Sequence, residues 1–216
     1  MLKASGIHKH YGNLHVLKGV DLEISSSEIV SIVGSSGAGK STLLHILGTL
    51  DKPDEGELSM NGKNLLDLNG VNLAKFRNEQ IGFIFQFHNL LPEFTASENI
   101  QIPGLIKGTD PKQLEKRAGE LAEILGISHR LDHKPSTLSG GEQQRIAVAR
   151  ALINDPAIIF ADEPSGNLDT QNARALHTLF FTLRKELGQA FVIVTHNEEL
   201  AGMADRMVTM KDGVIL

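Results

Sequence analysis

Residues 34–41 read GSSGAGKS, set between the apolar run EIVSIV at 28–33 and the segment KSTLLHILGTL at 40–50. The first flank has the continuous apolar character of a buried strand, and the apolar spacing of the second suits a helix. The octapeptide fits G-x-x-x-x-G-K-[ST] without a mismatch. Its glycines let the backbone curl until several N–H groups face one point, where the following helix places the positive end of its dipole. Gly34, Ser35, Ser36, Gly37, Ala38, Gly39, Lys40, Ser41 and Thr42 therefore form a candidate phosphate cradle. Lys40 would neutralise β/γ-phosphate charge and the Ser41 hydroxyl would ligate Mg²⁺. The bland alternative is a glycine-rich turn ahead of a helix, which the strand–loop–helix placement disfavours.

Three more apolar runs end in polar or ionisable groups. IGFIF at 81–85 is followed by Gln86, AIIFA at 157–161 by Asp162 and Glu163, and AFVIVT at 190–195 by His196. Ligands of open α/β sheets sit at the carboxyl ends of the strands, so these groups are expected to converge. Asp162 can hold Mg²⁺, and Glu163 can polarise a water that attacks the γ-phosphate. Gln86 is neutral and able to touch the metal or the water. His196 would stand beside the γ-phosphate. The ordinary alternatives are an acidic turn before Pro164 and a structural histidine among nine, and Gln86 by itself carries little signal. Tyr11, the only tyrosine, reads either as a partly buried loop residue or as an aromatic face for a nucleotide base.

Composition narrows the classes. A net charge of −5 with scattered Lys and Arg argues against nucleic acid as the partner. The absence of cysteine excludes disulfides and thiolate metal sites. No apolar run approaches the roughly 18 residues that a spanning helix needs, and the N-terminus lacks a signal-peptide core. If a membrane matters, another protein supplies it.

Turn signals and short strands (LKASGI, VDLEIS, EIVSIV, ELSM before Asn61-Gly62) fill the first sixty residues. From 89 to 154 no strand is evident, and PKQLEKRAGELAEILG and GEQQRIAVARALIN show helical periodicity. A helix is expected over about 170–187, and the chain closes with RMVTM, the turn Asp212-Gly213 and VIL. The expected organisation is a mixed α/β core (1–88 and 155–216) carrying an α-helical insertion (89–154).

That insertion holds LSGGEQQ at 138–144. Ser139 and Glu142 match a helix-capping box. Two adjacent glycines fit a first helical turn poorly, since glycine weakens helices, but they let a ligand approach the backbone. Ser139, Gly140 and Gly141 thus form a second candidate anion site, placed where it cannot easily reach the loop at 34–41. Two copies packed head to tail with C2 symmetry would let each complete the other's site.

Tyr11, GSSGAGKS, Gln86, LSGGEQQ, IIFADE, Asn167-Leu168-Asp169 and His196 follow the order found in ATP-binding-cassette ATPases, which the chain resembles over essentially its whole length. The resemblance implies a P-loop NTPase (RecA-like) core with an N-terminal antiparallel β part and an inserted α-helical subdomain. It also implies an ATPase that dimerises around two ATP and drives integral membrane transporter subunits. By the same resemblance Tyr11 lies on adenine, Ser41, Gln86 and Asp162 lie at Mg²⁺, Glu163 is the base, His196 meets the γ-phosphate and Ser139 acts across the dimer. Gly166-Asn167-Leu168-Asp169 departs from the S-A-L-D of many relatives.

A narrower resemblance rests on FQFHNLLPEFTASENI (85–100), HRLDHKPSTLSGGEQQR (129–145) and ADEPSGNLD (161–169). These are similar to the ATPases of lipoprotein-releasing (Lol) transporters of Gram-negative bacteria, acting at the cytoplasmic face of the inner membrane. The macrolide-export and cell-division ATPases are the alternatives, and a soluble relative working on DNA or ribosomes is a further one. Phe83 and Phe85 alternate in a buried strand and are expected in the core. Phe87, Leu90, Leu91 and Phe94 either pack under the helical insertion or line an apolar surface for a membrane partner's helix.

Overall fold

The computed structural model describes residues 1–216. β1 (Leu2–Tyr11) and β2 (Leu14–Ile24) form a long hairpin, followed by β3 (Ile29–Val33), α1 (Lys40–Leu47), β4 (Glu55–Met60), β5 (Lys63–Asn64), α2 (Gly70–Gln80) and β6 (Ile81–Phe85). The next stretch is entirely helical: α3 (Ala96–Lys107), α4 (Pro111–Ile124), two 3₁₀ turns and α5 (Gly140–Leu152). β7 (Ile158–Asp162), α6 (Thr170–Leu187), β8 (Ala190–Val194), α7 (Glu198–Met203), β9 (Arg206–Lys211) and β10 (Val214–Ile215) complete the chain. No helix is long and apolar enough to cross a membrane.

Two sheets carry the fold. One is antiparallel, in the order β2-β1-β4-β5; the other runs β10-β9-β3-β8-β7-β6 and is parallel from β9 to β6. β8 is buried at every residue, and β3 and β7 at all but the last. Strands covered on both faces read as unbroken apolar runs, which is why their sequences were recognisable without alternation. One face of the large sheet packs with α1 and the antiparallel sheet around Leu43, Leu44, Phe160 and Val192. The other packs with α3, α4, α5 and α6 around Ile159, Phe180, Phe191 and Ile193. Each fully buried Leu, Ile or Phe contributes about 1.5–3 kcal/mol, so the sheet is anchored from both sides.

The structure departs from the sequence reading at several elements. β1 and β2 run well past LKASGI and VDLEIS, because Gly12-Asn13 closes a two-residue turn with Tyr11 opposite Leu14. Tyr11 is therefore the last residue of a strand and is exposed, not part of a half-buried loop. α2 gave no periodic signal because none of its residues is buried; it is marked only by the Asn69 cap, whose side chain accepts from Asn72 N. α3 begins with a complete Thr95/Glu98 capping box, a pattern embedded in a segment otherwise read for its aromatic residues. The helix expected at 170–187 occupies those residues, and Asp212 and Gly213 turn with φ of 48° and 86°.

Candidate nucleotide-binding site

Register places the site. Phe85 is opposite Asp162, and Asp162 opposite Val194, in adjacent parallel strands. The residues just beyond, Gln86 and Glu163, therefore emerge side by side, and Thr195 and His196 emerge next to Glu163. Val194 also neighbours Ile32, so the 34–41 loop leaves the same edge. These ends open into a cleft of about 620 Å³ lined by the loop, Tyr11, Gln86, Glu163 and His196. Leu14 and Val16 of β2 line it beside Tyr11; neither was singled out from sequence, though the hairpin register would have placed them there.

Two glycines of the loop are dictated by their neighbours. Gly34 has φ 151°, and a Cβ there would lie 2.2 Å from the Met210 carbonyl oxygen. Gly39, at φ 99°, caps α1 and would place a Cβ 2.9 Å from Leu17 Cδ2. Lys40 Nζ donates to the carbonyls of Gly34 (2.8 Å) and Ser35 (3.0 Å), folding its ammonium back across the loop. Ala38 is buried, so its contribution is limited to the backbone.

Ser41 Oγ donates to Asp162 Oδ1 at 3.1 Å. Burial pushes the Asp162 carboxyl above its usual range, against the opposing effect of this hydrogen bond. Together with Gln86 they offer oxygen donors, the chemistry of a hard cation. No trio of His, Cys, Asp and Glu side chains gathers to hold a metal on its own. The donor set fits a hard cation such as Mg²⁺, whose remaining positions phosphate and water would fill.

Glu163 follows the strand with φ 47°, so the alternation expected for consecutive strand residues stops at Asp162. Its N–H donates to the Val194 carbonyl at 2.9 Å. The turn swings the carboxylate onto His196: Oε2 lies 2.8 Å from Nδ1 and accepts from the His196 N–H at 3.3 Å. The two ionisable groups singled out at neighbouring strand ends are directly paired. Tyr11 presents its ring to the cleft while its hydroxyl donates to Asp51 Oδ2 at 2.8 Å.

Ser139, Gly140 and Gly141 do not line this cleft. Ser139 caps α5, and its box with Glu142 is complete in both directions. Gly141 is explained by the fold, because a Cβ would come within 2.6 Å of Asn172 Oδ1 on α6. Gly140 has almost open space around it, and Ser139 is exposed with its hydroxyl donating to Glu142 Oε2 at 2.8 Å and accepting from the Glu142 N–H.

The segment after Gln86 divides. Leu90 packs against the helical core, whereas Phe87, Leu91 and Phe94 are exposed at 70%, 43% and 41%. Asn99 is buried and holds the loop by accepting from Leu91 N and donating to the carbonyls of Leu91, Phe94 and Thr95. Arg150 of α5 donates to the carbonyls of His88 and Asn89, both at 2.7 Å. Phe83 and Phe85 are both half-buried and both line an apolar groove of about 430 Å³ with Leu50, Ala74, Pro103 and Ile106. Phe83 also packs on the core, so the expected core placement is corrected in part for Phe83 and in full for Phe85.

Residues 17–166 match the family model described as ABC transporter. The chain belongs to the ABC transporter family. It is an ATPase cassette of that family. Relatives named lipoprotein-releasing system ATP-binding protein LolD share full length with it. The one from Cytophaga hutchinsonii is 60% identical over 216 residues, covering 100% of this chain and 99% of the relative. The one from Bacteroides thetaiotaomicron is 59% identical over 215 residues with the same coverages. The bacterial cassette MJ0796, solved as a dimer, superposes with TM-score 0.91 at 41% identity, over 100% of this chain and 96% of that one. A dimer of MJ0796 in a post-hydrolysis state bound to ADP and Pi gives TM-score 0.90 at 40% identity, with the same coverages.

The cap of α5 makes a pH prediction. The Ser139 N–H, then the Ser139 hydroxyl and the Arg130 guanidinium, hold the Glu142 carboxyl down at about 2, against the opposing effect of burial. A depressed carboxylate stabilises the fold above its unfolded pKa and loses that contribution as pH falls through the folded one. Wild type should therefore exceed Glu142→Gln in urea midpoint at neutral pH. The gap should close as pH drops from about 4.5 to about 2. A gap independent of pH would show that the carboxylate charge is not what holds the cap.

Proposed function

We propose that this chain is the ATP-hydrolysing subunit of a lipoprotein-releasing ABC complex, working as a homodimer on the cytoplasmic face of the inner membrane beneath integral membrane subunits. The observation that carries the hydrolytic part is the Glu163–His196 pair at the strand edge shared with the 34–41 loop. The full-length identity to proteins named for lipoprotein release supports the cargo. Lipoproteins would be met only indirectly, through the membrane subunits. Nucleic acid has no part in this reading.

The backbone of Gly34–Thr42 and Lys40 would bind the phosphates, and Tyr11 with Leu14 and Val16 would flank the base. Ser41, Asp162 and Gln86 would hold Mg²⁺, whose charge neutralises the phosphates. Glu163 would accept the proton of the attacking water as the water oxygen bonds to γ-phosphorus and the bond from γ-phosphorus to the bridging oxygen breaks, that oxygen leaving on ADP. His196, in contact with the carboxylate, would fix its direction. A general base typically contributes about 10²–10⁴-fold. Glu163→Gln keeps shape but removes the charge; it should cut turnover by about that factor and trap an ATP-loaded dimer visible by size-exclusion chromatography. Near-normal turnover would move the base to another residue.

Ser139 and Gly140 would face the nucleotide of the second copy, because they lie outside their own cleft. ATP turnover per subunit should accordingly rise with protein concentration. Ser139→Arg should abolish it while nucleotide binding to the monomer persists. Concentration-independent turnover by a proven monomer would defeat the shared-site reading.

The exposed Phe87, Leu91 and Phe94 and the adjoining groove would dock the membrane subunits. Leu91→Ser and Phe94→Ser should leave melting and basal hydrolysis close to wild type, and should weaken co-purification with the membrane subunits and lipoprotein release from vesicles. A drop in melting temperature with partner binding retained would return these side chains to a purely structural role.

A further inference from the structure

Asn167 stands in a loop whose sequence departs from the S-A-L-D of many cassettes. Its carboxamide meets that of Gln86 across 81 positions of chain. Gln86 Nε2 donates to Asn167 Oδ1 at 3.0 Å, and Asn167 Nδ2 donates to the Gln86 carbonyl at 3.1 Å. One side chain therefore grips both the side chain and the backbone of the other residue. Gly166 makes room for the pairing: a Cβ there would sit 2.9 Å from Gln86 Nε2 and 3.1 Å from its Cδ.

The loop that presents Asn167 is itself fixed. Gly166 N–H donates to the Glu163 carbonyl at 3.0 Å, and Leu168 N–H to the Ser165 carbonyl at 3.1 Å. Ser165 is buried with its hydroxyl 3.1 Å from His177 Nε2 of α6, Leu168 packs on the helical core, and Asp169 caps α6. A glutamine amide is ambiguous at its end: either oxygen or nitrogen can face a ligand. Engaging Nε2 removes that ambiguity and turns Oε1 out as the free acceptor, which is the atom a hard cation or a water proton needs.

We infer that Asn167 is a positioning residue for Gln86, holding its carboxamide so that the oxygen faces the metal-and-water side of the cleft, with Gly166 as the space the pair requires. The inference rests on the reading of Gln86 as a Mg²⁺-side residue. It also gives the Gly-Asn departure a function within one subunit. Whatever displaces the 163–169 loop then turns Gln86 with it, and through Gln86 the adjoining segment at Phe87.

The test uses the full chain with Asn167→Ala, Asn167→Asp, Gln86→Ala and the Asn167→Ala/Gln86→Ala double variant. In the nucleotide-free wild type, ¹⁵N relaxation of the Gln86 side-chain amide should report an ordered group. Asn167→Ala should raise its mobility to that of exposed glutamines, while Asn167→Asp, which keeps the acceptor but loses the donor to the Gln86 carbonyl, should raise it less. Partners that orient metal ligands cost about 10–100-fold when removed. The Mg²⁺ concentration for half-maximal turnover should accordingly rise about tenfold in Asn167→Ala. No further rise should follow when Asn167→Ala is added to Gln86→Ala. An amide equally ordered without Asn167 overturns the inference, and so does an undiminished cost in the Gln86→Ala background. A wild type without ATPase activity would instead sink the hydrolytic reading, with the relaxation result still deciding whether Asn167 holds Gln86.

Discussion

In a parallel sheet every strand delivers its carboxyl end to the same edge, and here the order β3-β8-β7-β6 sets four such ends in a row. The in-register pairs Phe85–Asp162 and Asp162–Val194 then leave the residue types that follow no choice of neighbours. A one-residue slip would turn every buried side chain of a strand to the wrong face, and the two apolar layers on either side forbid it. The chemistry is held by packing far from it: Phe160 on one face and Phe180 with Phe191 on the other fix where Gln86, Glu163 and His196 emerge.

The site is built from backbone as much as from side chains. Gly34 is pressed against the Met210 carbonyl, so the loop's entry is set by β9 at the far side of β3. Glu163 leaves its strand in a left-handed turn, a conformation uncommon outside glycine, and this is what brings its carboxylate onto His196. Such a turn persists because the surroundings determine it: Glu163 N–H is bound by the Val194 carbonyl, and Gly166 N–H closes back on the Glu163 carbonyl.

What could be read from sequence followed the physics of each element. β3, β7 and β8 declared themselves because full burial demands unbroken apolar runs, and α6 because its buried residues recur at helical spacing. The 34–41 loop was legible because glycines at φ 151°, 79° and 99° leave a fixed pattern. α2 was silent, since a helix with no buried face has no periodicity to show. The Gln86–Asn167 grip was silent for another reason: neither residue has a local role, and their pairing exists only once β6 and β7 are adjacent. Gly141 shows the converse, a residue in a ligand-like motif whose missing side chain the fold already requires.

α2 lends Ala74, Arg77 and Asn78 to the groove walls and only the half-buried Phe76 to an apolar core. Phe76 and the hydrogen bonds of Arg77 to the Thr49 carbonyl and of Asn78 to the Pro103 carbonyl tie its C-terminal half to the fold, which leaves its exposed N-terminal half free of such demands. Substitutions at exposed positions such as Ala74 change the shape and charge of the groove wall at little cost in stability, since surface changes usually stay within about 0.5 kcal/mol. The rim of the groove can therefore vary at those positions without disturbing either core. The hydrolytic edge, locked between two cores, stays as it is.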